Sequence, residues 1–168
     1  LFYARSDSVE KDYFVKKVLL EDVVHTAIMN YMDSLIQKKI SLDVYNLENY
    51  VYIDEKWITF IICQVLQNSI KYLNKPEKVI KIHSENNKNN VVLVIEDNGE
   101  GILDHDLPRV FEYGFTGADR QKQYSTGIGL YLCKKLCNKM NLDIKIESQY
   151  KKFTKVKIIF PKTNLYRQ

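Results

Sequence analysis

The side chains with the clearest chemical potential fall into three groups. Gln64, Asn68, Lys71 and Tyr72 recur at three- and four-residue steps, which places them along one edge of an otherwise apolar helical stretch. Asp97 stands just past the β-branched run Val91-Val92-Leu93-Val94-Ile95, so its carboxylate sits at the lip of a buried strand and can accept a hydrogen bond from an amine. All six glycines of the chain, Gly99, Gly101, Gly114, Gly117, Gly127 and Gly129, lie in the stretch that follows. The last two open an amphipathic helix within Ser125-Thr126-Gly127-Ile128-Gly129-Leu130. A helix start with unobstructed backbone N–H groups binds phosphate through those groups and the helix dipole. A polar helix edge, a carboxylate and a glycine-rich connection together point to a flat, charged ligand: a nucleotide with its phosphates.

Those groups need a frame. Asp54 is an N-cap for a helix running to about Tyr72, whose apolar set includes Trp57, Ile58, Ile61, Ile62, Val65, Leu66 and Ile70. Leu130, Cys133, Leu136, Cys137 and Met140 form the apolar stripe of the helix after Gly129. Upstream, the stripe from Val18 to Ile36 predicts a helix from Lys16 to about Lys38. Alternation predicts strands over Lys39–Val44, Val51–Ile53 and Val79–His83, and a closing hairpin over Leu142–Ser148 and Thr154–Phe160. Asp104–Phe111 reads as a short helix, with Phe111 and Phe115 as apolar anchors. This order of elements suits a two-layer α/β sandwich with helices on one face of a mixed sheet.

At 168 residues, 45% hydrophobic and 27% charged, the chain has the size and composition of one globular domain. A net charge of +4, with lysines scattered rather than striped, does not indicate nucleic-acid binding. No apolar run reaches the ~18 residues of a membrane span, and no signal-peptide pattern is present. Cys63, Cys133 and Cys137 sit in apolar helical patterns without a Cys-x-x-Cys pair, which disfavours a zinc site or a disulfide framework and fits a reducing setting. A chain starting at Leu1 is expected to be a fragment of a longer protein.

The phrases DNGEGI, VFEYGFTG and STGIGLYL resemble the G1, F and G2 boxes of the GHKL (Bergerat-fold) ATPases, and QVLQNSIKY resembles their N box. The chain is most similar to the catalytic ATP-binding domain of bacterial two-component sensor histidine kinases, of the intramembrane-sensing type that responds to peptide antibiotics. The resemblance implies a Bergerat fold with a long ATP lid between Ile102 and Thr126. It implies that residues 1–15 (with LFYAR) are the end of a dimerisation helix and a linker, 16–162 the ATP-binding domain and 163–168 a tail. The cofactors it implies are ATP and Mg²⁺. Residue by residue, Asn68 matches the magnesium ligand, Lys71 the basic residue near the phosphates and Tyr72 the aromatic against the nucleotide; Asn68 and Lys71 are the candidates for a role in transfer. Asp97 matches the carboxylate that reads the adenine amino group. Gly99, Gly101, Ile102, Phe111, Thr116, Gly117, Ser125, Thr126, Gly127, Gly129 and Leu130 match box and lid positions around the nucleotide. Arg120 is either a phosphate contact or a solvated loop charge. Thr154 matches a hydroxyl near the adenine, although Phe153 replaces the glycine usual before it, and phenylalanine tolerates positive φ poorly.

The partners implied are the protein's own dimerisation domain, a cognate response regulator and a peptide-antibiotic ABC transporter. The location implied is the cytoplasmic side of a cell-membrane protein. His25 lacks the acidic neighbour of a phospho-acceptor and lies on the wrong side of LFYAR, so it reads as a structural or surface histidine, and the acceptor is expected upstream. Two rivals stand beside the kinase reading. Chaperone, gyrase and mismatch-repair ATPases of the same superfamily use an N-box glutamate as general base, but the matching residue here is Gln64, which cannot take a proton from water. A degenerate binding module is opposed by the intact Asn68, Asp97 and box glycines.

Overall fold

The computed structural model describes residues 13–117 and 127–162. The chain enters through β1 (Lys16–Leu19) and passes into α1 (Leu20–Asn30) and α2 (Met32–Gln37). Then come β2 (Ser41–Tyr45), β3 (Tyr50–Ile53), α3 (Glu55–Lys71), β4 (Val79–Asn86) and β5 (Asn90–Asp97). A single 3₁₀ turn at Leu107–Arg109, α4 (Gly129–Lys139), β6 (Asp143–Gln149) and β7 (Phe153–Pro161) complete it.

Five strands form one mixed sheet in the order β2-β4-β5-β7-β6, with β2 parallel to β4 and the other neighbours antiparallel. The helices cover one face. Ile80 and Ile82 of β4, Leu93 and Ile95 of β5, Val156 and Ile158 of β7 and Ile144 of β6 meet Ile58, Ile61, Ile62, Val65 and Leu66 of α3 and Cys133, Leu136 and Cys137 of α4 in one continuous core. This is the expected two-layer sandwich.

Among the described residues the other face has no second layer. Val94 points there and is still only 1% exposed, because it lies across from His83 on one side and Lys157 on the other. Lys157 pairs with Glu147 at 2.7 Å and Lys155 with Glu96 at 3.8 Å, so the stems of long charged residues clothe the strand.

Two expectations about the start of the chain are corrected. Residues 16–19 are not the first turn of a helix: β1 lies antiparallel to β3 in a separate ribbon, with Lys16 opposite Ile53 and Leu19 opposite Tyr50. The helix that follows breaks at Tyr31, and its remainder is the short α2. A run of Val and Leu fits either period, and pairing with a distant strand decides it here. The short helix expected over 104–111 is only the one 3₁₀ turn, with Pro108 in it. Among the expected features, LFYAR, the 118–126 part of the lid and the tail at 163–168 lie outside the described residues.

Asp54 caps α3 as expected, its Oδ1 accepting the Trp57 N–H at 3.2 Å. Its Oδ2 accepts the Phe14 N–H at 2.8 Å, so one buried carboxylate holds both the incoming chain and the start of α3.

Candidate nucleotide site

A cleft of about 360 Å³ opens between α3, the sheet ends and the start of α4. Its first wall is the polar edge of α3, where Gln64, Asn68, Lys71 and Tyr72 all line the space. The Lys71 ammonium stands 5.2 Å from the centre of the Tyr72 ring. At the floor, β5 and β7 bring Asp97 opposite Thr154, and both line the cleft. Gly101 and Ile102 follow from the loop after β5. The far side carries Thr116 and Gly117 from the lid base and Gly127, Gly129 and Leu130 from the start of α4.

Two of the sequence-selected residues within the described structure do not line the cleft. Gly99 lies behind Asp97, where its N–H donates to Asp97 Oδ1 at 2.9 Å. Phe111 packs against the edge of the core, with the Lys134 ammonium 5.7 Å from its ring centre. Arg120, Ser125 and Thr126 lie outside the described residues.

Sequence reasoning passed over others. Ser69 lines the cleft and hydrogen-bonds the Asp97 carboxylate through its side chain. It falls in the i, i+4 series Ile61, Val65, Ser69, so a polar residue in an apolar stripe marked it. Glu100, Asp106, Ile146 and Tyr150 also line the space, and nothing in their local sequence distinguishes them.

Electrostatics single out Asp97. Its 4% exposure removes water from the carboxylate and pushes its pKa up to about 6 from 3.8. The Gly99 N–H and the Ser69 hydroxyl pull it back, the neighbouring Glu96 charge raises it further and Lys75 lowers it slightly. Near neutrality the group is a largely buried anion at the cleft wall, suited to an uncharged N–H donor. Such a perturbed carboxylate in a cleft is a mark of a functional site.

The glycines make room. A Cβ on Gly129 would stand 2.7 Å from Gln64 Oε1, so the residue lets α4 begin against α3. Ile128 puts no side-chain cap over the start of α4, and the N–H groups of its first turn have no partners within the helix. The Gly129 end of α4 therefore offers the amides and positive dipole end that suit phosphate oxygens. Gly101 has φ +71°, and a Cβ there would overlap the Gln149 carbonyl. The left-handed residue of the last hairpin turn is Lys151, with φ 64°, while Phe153 sits in β7 opposite Gln149. Phenylalanine thus replaces the usual glycine without strain.

A nucleotide with a divalent cation suits this arrangement. The base end has a buried acceptor, and the other end has amides, Lys71 and the Asn68 amide. Among the described residues no group of three His, Cys, Asp or Glu can cage a metal. A cation here would take oxygen from Asn68 and from phosphate. None of the chain's three histidines lines the cleft.

The family described as histidine kinase-, DNA gyrase B- and HSP90-like ATPase matches residues 53–164, more than half of the chain. Sensor protein BceS of Halalkalibacterium halodurans is 36% identical over 165 residues, covering 98% of this chain and 49% of BceS. Sensor protein kinase GraS of Staphylococcus aureus strain MRSA252 is 36% identical over 166 residues, covering 98% of this chain and 47% of GraS. The chain spans about half the length of these curated relatives. In fold it matches the catalytic domain of histidine kinase ThkA, with TM-score 0.76 at 20% identity over 89% of this chain and 99% of that one. The mycobacterial sensor histidine kinase MprB gives TM-score 0.76 at 20% identity over 87% and 97%. The chain belongs to the histidine kinase-, DNA gyrase B- and HSP90-like ATPase family, as an ATP-binding domain of the sensor-histidine-kinase kind.

Proposed function

We propose that this domain holds Mg·ATP in the cleft and presents its γ-phosphoryl group to a histidine on a dimerisation domain of the same protein, for relay to a response-regulator aspartate. The observation that carries the reading is the buried Asp97 at one end of a cleft whose other end is the glycine-lined start of α4. Phosphoryl transfer relies on positioning and charge neutralisation, and the residues here are of that kind. Asp97 accepts from the base, Asn68 supplies an amide oxygen to Mg²⁺, and Lys71 and the α4 amides meet the phosphates. Gln64, where a hydrolase would need a base, favours a kinase over an ATP-hydrolysing machine.

Residues 16–162 form the nucleotide-binding unit in this reading, with the linker before it and a short tail after it. The full protein is a homodimeric sensor at the cell membrane, with this domain on the cytoplasmic side; no helix among the described residues is long and apolar enough to cross a membrane. Similarity to BceS and GraS favours the peptide-antibiotic-responsive type, with an ABC transporter as a further partner.

The test is calorimetric titration of the 168-residue chain with a non-hydrolysable ATP analogue, with and without Mg²⁺, beside Asp97→Asn. Magnesium-dependent binding that the substitution abolishes is expected. Failure of the chain to bind nucleotide, in isolation and when extended through the dimerisation helices, sinks the reading.

A further inference from the structure

Across β5, β7 and β6 the helix-facing side of the sheet is apolar in the rows Leu93–Ile158–Ile144 and Ile95–Val156–Ile146. One step on, the row becomes Asp97, Thr154 and Ser148. Asp97 and Thr154 line the cleft; Ser148 stands behind Thr154.

Among the described residues the Ser148 hydroxyl has three hydrogen-bond neighbours, and it has one proton. The Ile102 N–H donates to Ser148 Oγ at 2.8 Å. Ser148 Oγ donates to the Phe153 carbonyl at 2.7 Å. The third neighbour is Thr154 Oγ1 at 3.2 Å. A carbonyl can only accept, so the single Ser148 proton is taken by Phe153. In the remaining contact Thr154 must be the donor. Its proton then points away from the cleft, and only its lone pairs face the space beside Asp97.

We infer that Ser148 is a specificity-determining positioning residue: by taking the Thr154 proton, it makes Thr154 an obligate acceptor, so that the base end of the cleft presents two acceptors and selects an amino-bearing base edge over a carbonyl-bearing one. The inference rests on the nucleotide reading above. Ser148 touches no ligand itself. The same hydroxyl anchors Ile102, so the loop after β5 and the last hairpin are set by one atom.

The experiment measures affinities of the 168-residue chain for ATP and for inosine triphosphate, whose base carries a carbonyl where ATP carries the amino group. Unmodified protein prefers ATP. In Ser148→Ala the Thr154 hydroxyl is free to turn and donate to the carbonyl, so the ATP/ITP affinity ratio falls by about five- to ten-fold, the value of one hydrogen bond. A merely structural serine would lower both affinities and leave the ratio unchanged, and that result overturns the inference. Thr154→Val, which keeps the shape and deletes the acceptor, should narrow the ratio similarly, and adding Ser148→Ala to it should do nothing more. A further narrowing in the double variant shows that Ser148 does not act through Thr154 and is equally fatal. If Ser148→Ala does not fold, Thr154→Val alone decides, an unchanged ratio counting against the proposal. Binding of neither nucleotide by unmodified protein removes the nucleotide reading and this inference with it, whereas ATP binding with no effect of these substitutions removes only the inference.

Discussion

The Gly114 N–H donates to the Gly127 carbonyl at 3.0 Å, and this bond ties the middle of the 102–126 connection to the residues just before α4. Both glycines have positive φ, +73° and +65°, but they differ in surroundings. A Cβ on Gly114 meets nothing within 4 Å, whereas one on Gly127 would overlap the Gly114 carbonyl carbon. Gly114→Ala should therefore cost about 1 kcal/mol from backbone strain alone. Gly127→Ala should cost about 2–3 kcal/mol and weaken nucleotide binding as this tie opens. Urea denaturation of the two variants, with equal losses, would show the tie to be slack.

Asp97 gives a pH dependence of defined sign. Its native pKa of about 6 lies above the 3.8 of an unburied carboxyl, so the folded state holds the proton more tightly than the unfolded state. This group's contribution to stability is therefore full below pH ~4 and lost as pH rises through ~6, a cost of about 3 kcal/mol at neutrality. Asp97→Asn should flatten that segment of the stability–pH curve. ATP affinity should run the other way, falling as pH drops below about 6. Parallel stability curves for the two proteins between pH 4 and 7 would contradict the assignment.

Asp54 ties the entering chain to the helix that carries Asn68 and Lys71. Asp54→Ala removes the cap of α3 and the acceptor for Phe14, and should destabilise the domain by about 2 kcal/mol. Asp54→Asn, which keeps the acceptor for one of the two N–H groups, should lose about half of that. Hydrogen exchange at Trp57 and Phe14 should accelerate together in Asp54→Ala. Acceleration at Trp57 alone would mean that the linker is held by other contacts.

The three cysteines should separate by reactivity. Burial pushes the Cys133 thiol well above its usual value and Cys137 up to about 12, so neither supplies thiolate in the native fold. Cys63 is half-buried beside Asn30, whose amide donates to its sulfur at 3.6 Å. Native protein should thus react with a thiol reagent at Cys63 alone, with all three reacting in denaturant. Rapid native labelling of Cys133 would reveal opening between α3 and α4.

What could be read in the sequence followed from how local each signal is. Asp54 as cap, the α3 edge bearing Asn68 and Lys71, and the strand ending at Asp97 depend on spacing within a few residues, and each lies in its expected element. Residues 16–19 did not, because their partner is β3, more than thirty positions on, and pairing at that distance leaves no local mark. Ser148 was invisible for the same reason: its contacts, and the role proposed for it, arise only where β6, β7 and the loop at Ile102 meet. Phe153 was a warning that the fold cancels, since the left-handed conformation moved to Lys151. Glu100, Asp106 and Tyr150 reach the cleft from turns whose path no periodicity encodes.

The ion-paired face of the sheet gives the domain a back. Lys155–Glu96 and Lys157–Glu147 pair beside Val94, so the charges nearest that strand already answer one another. The cleft lies on the opposite, helix-bearing side, so in the kinase proposed above delivery of the phosphoryl group requires the domain to swing as a body. A fluorophore or tether placed at Lys81 or Lys145 would ride on the reverse of the working side and report that swing without entering it.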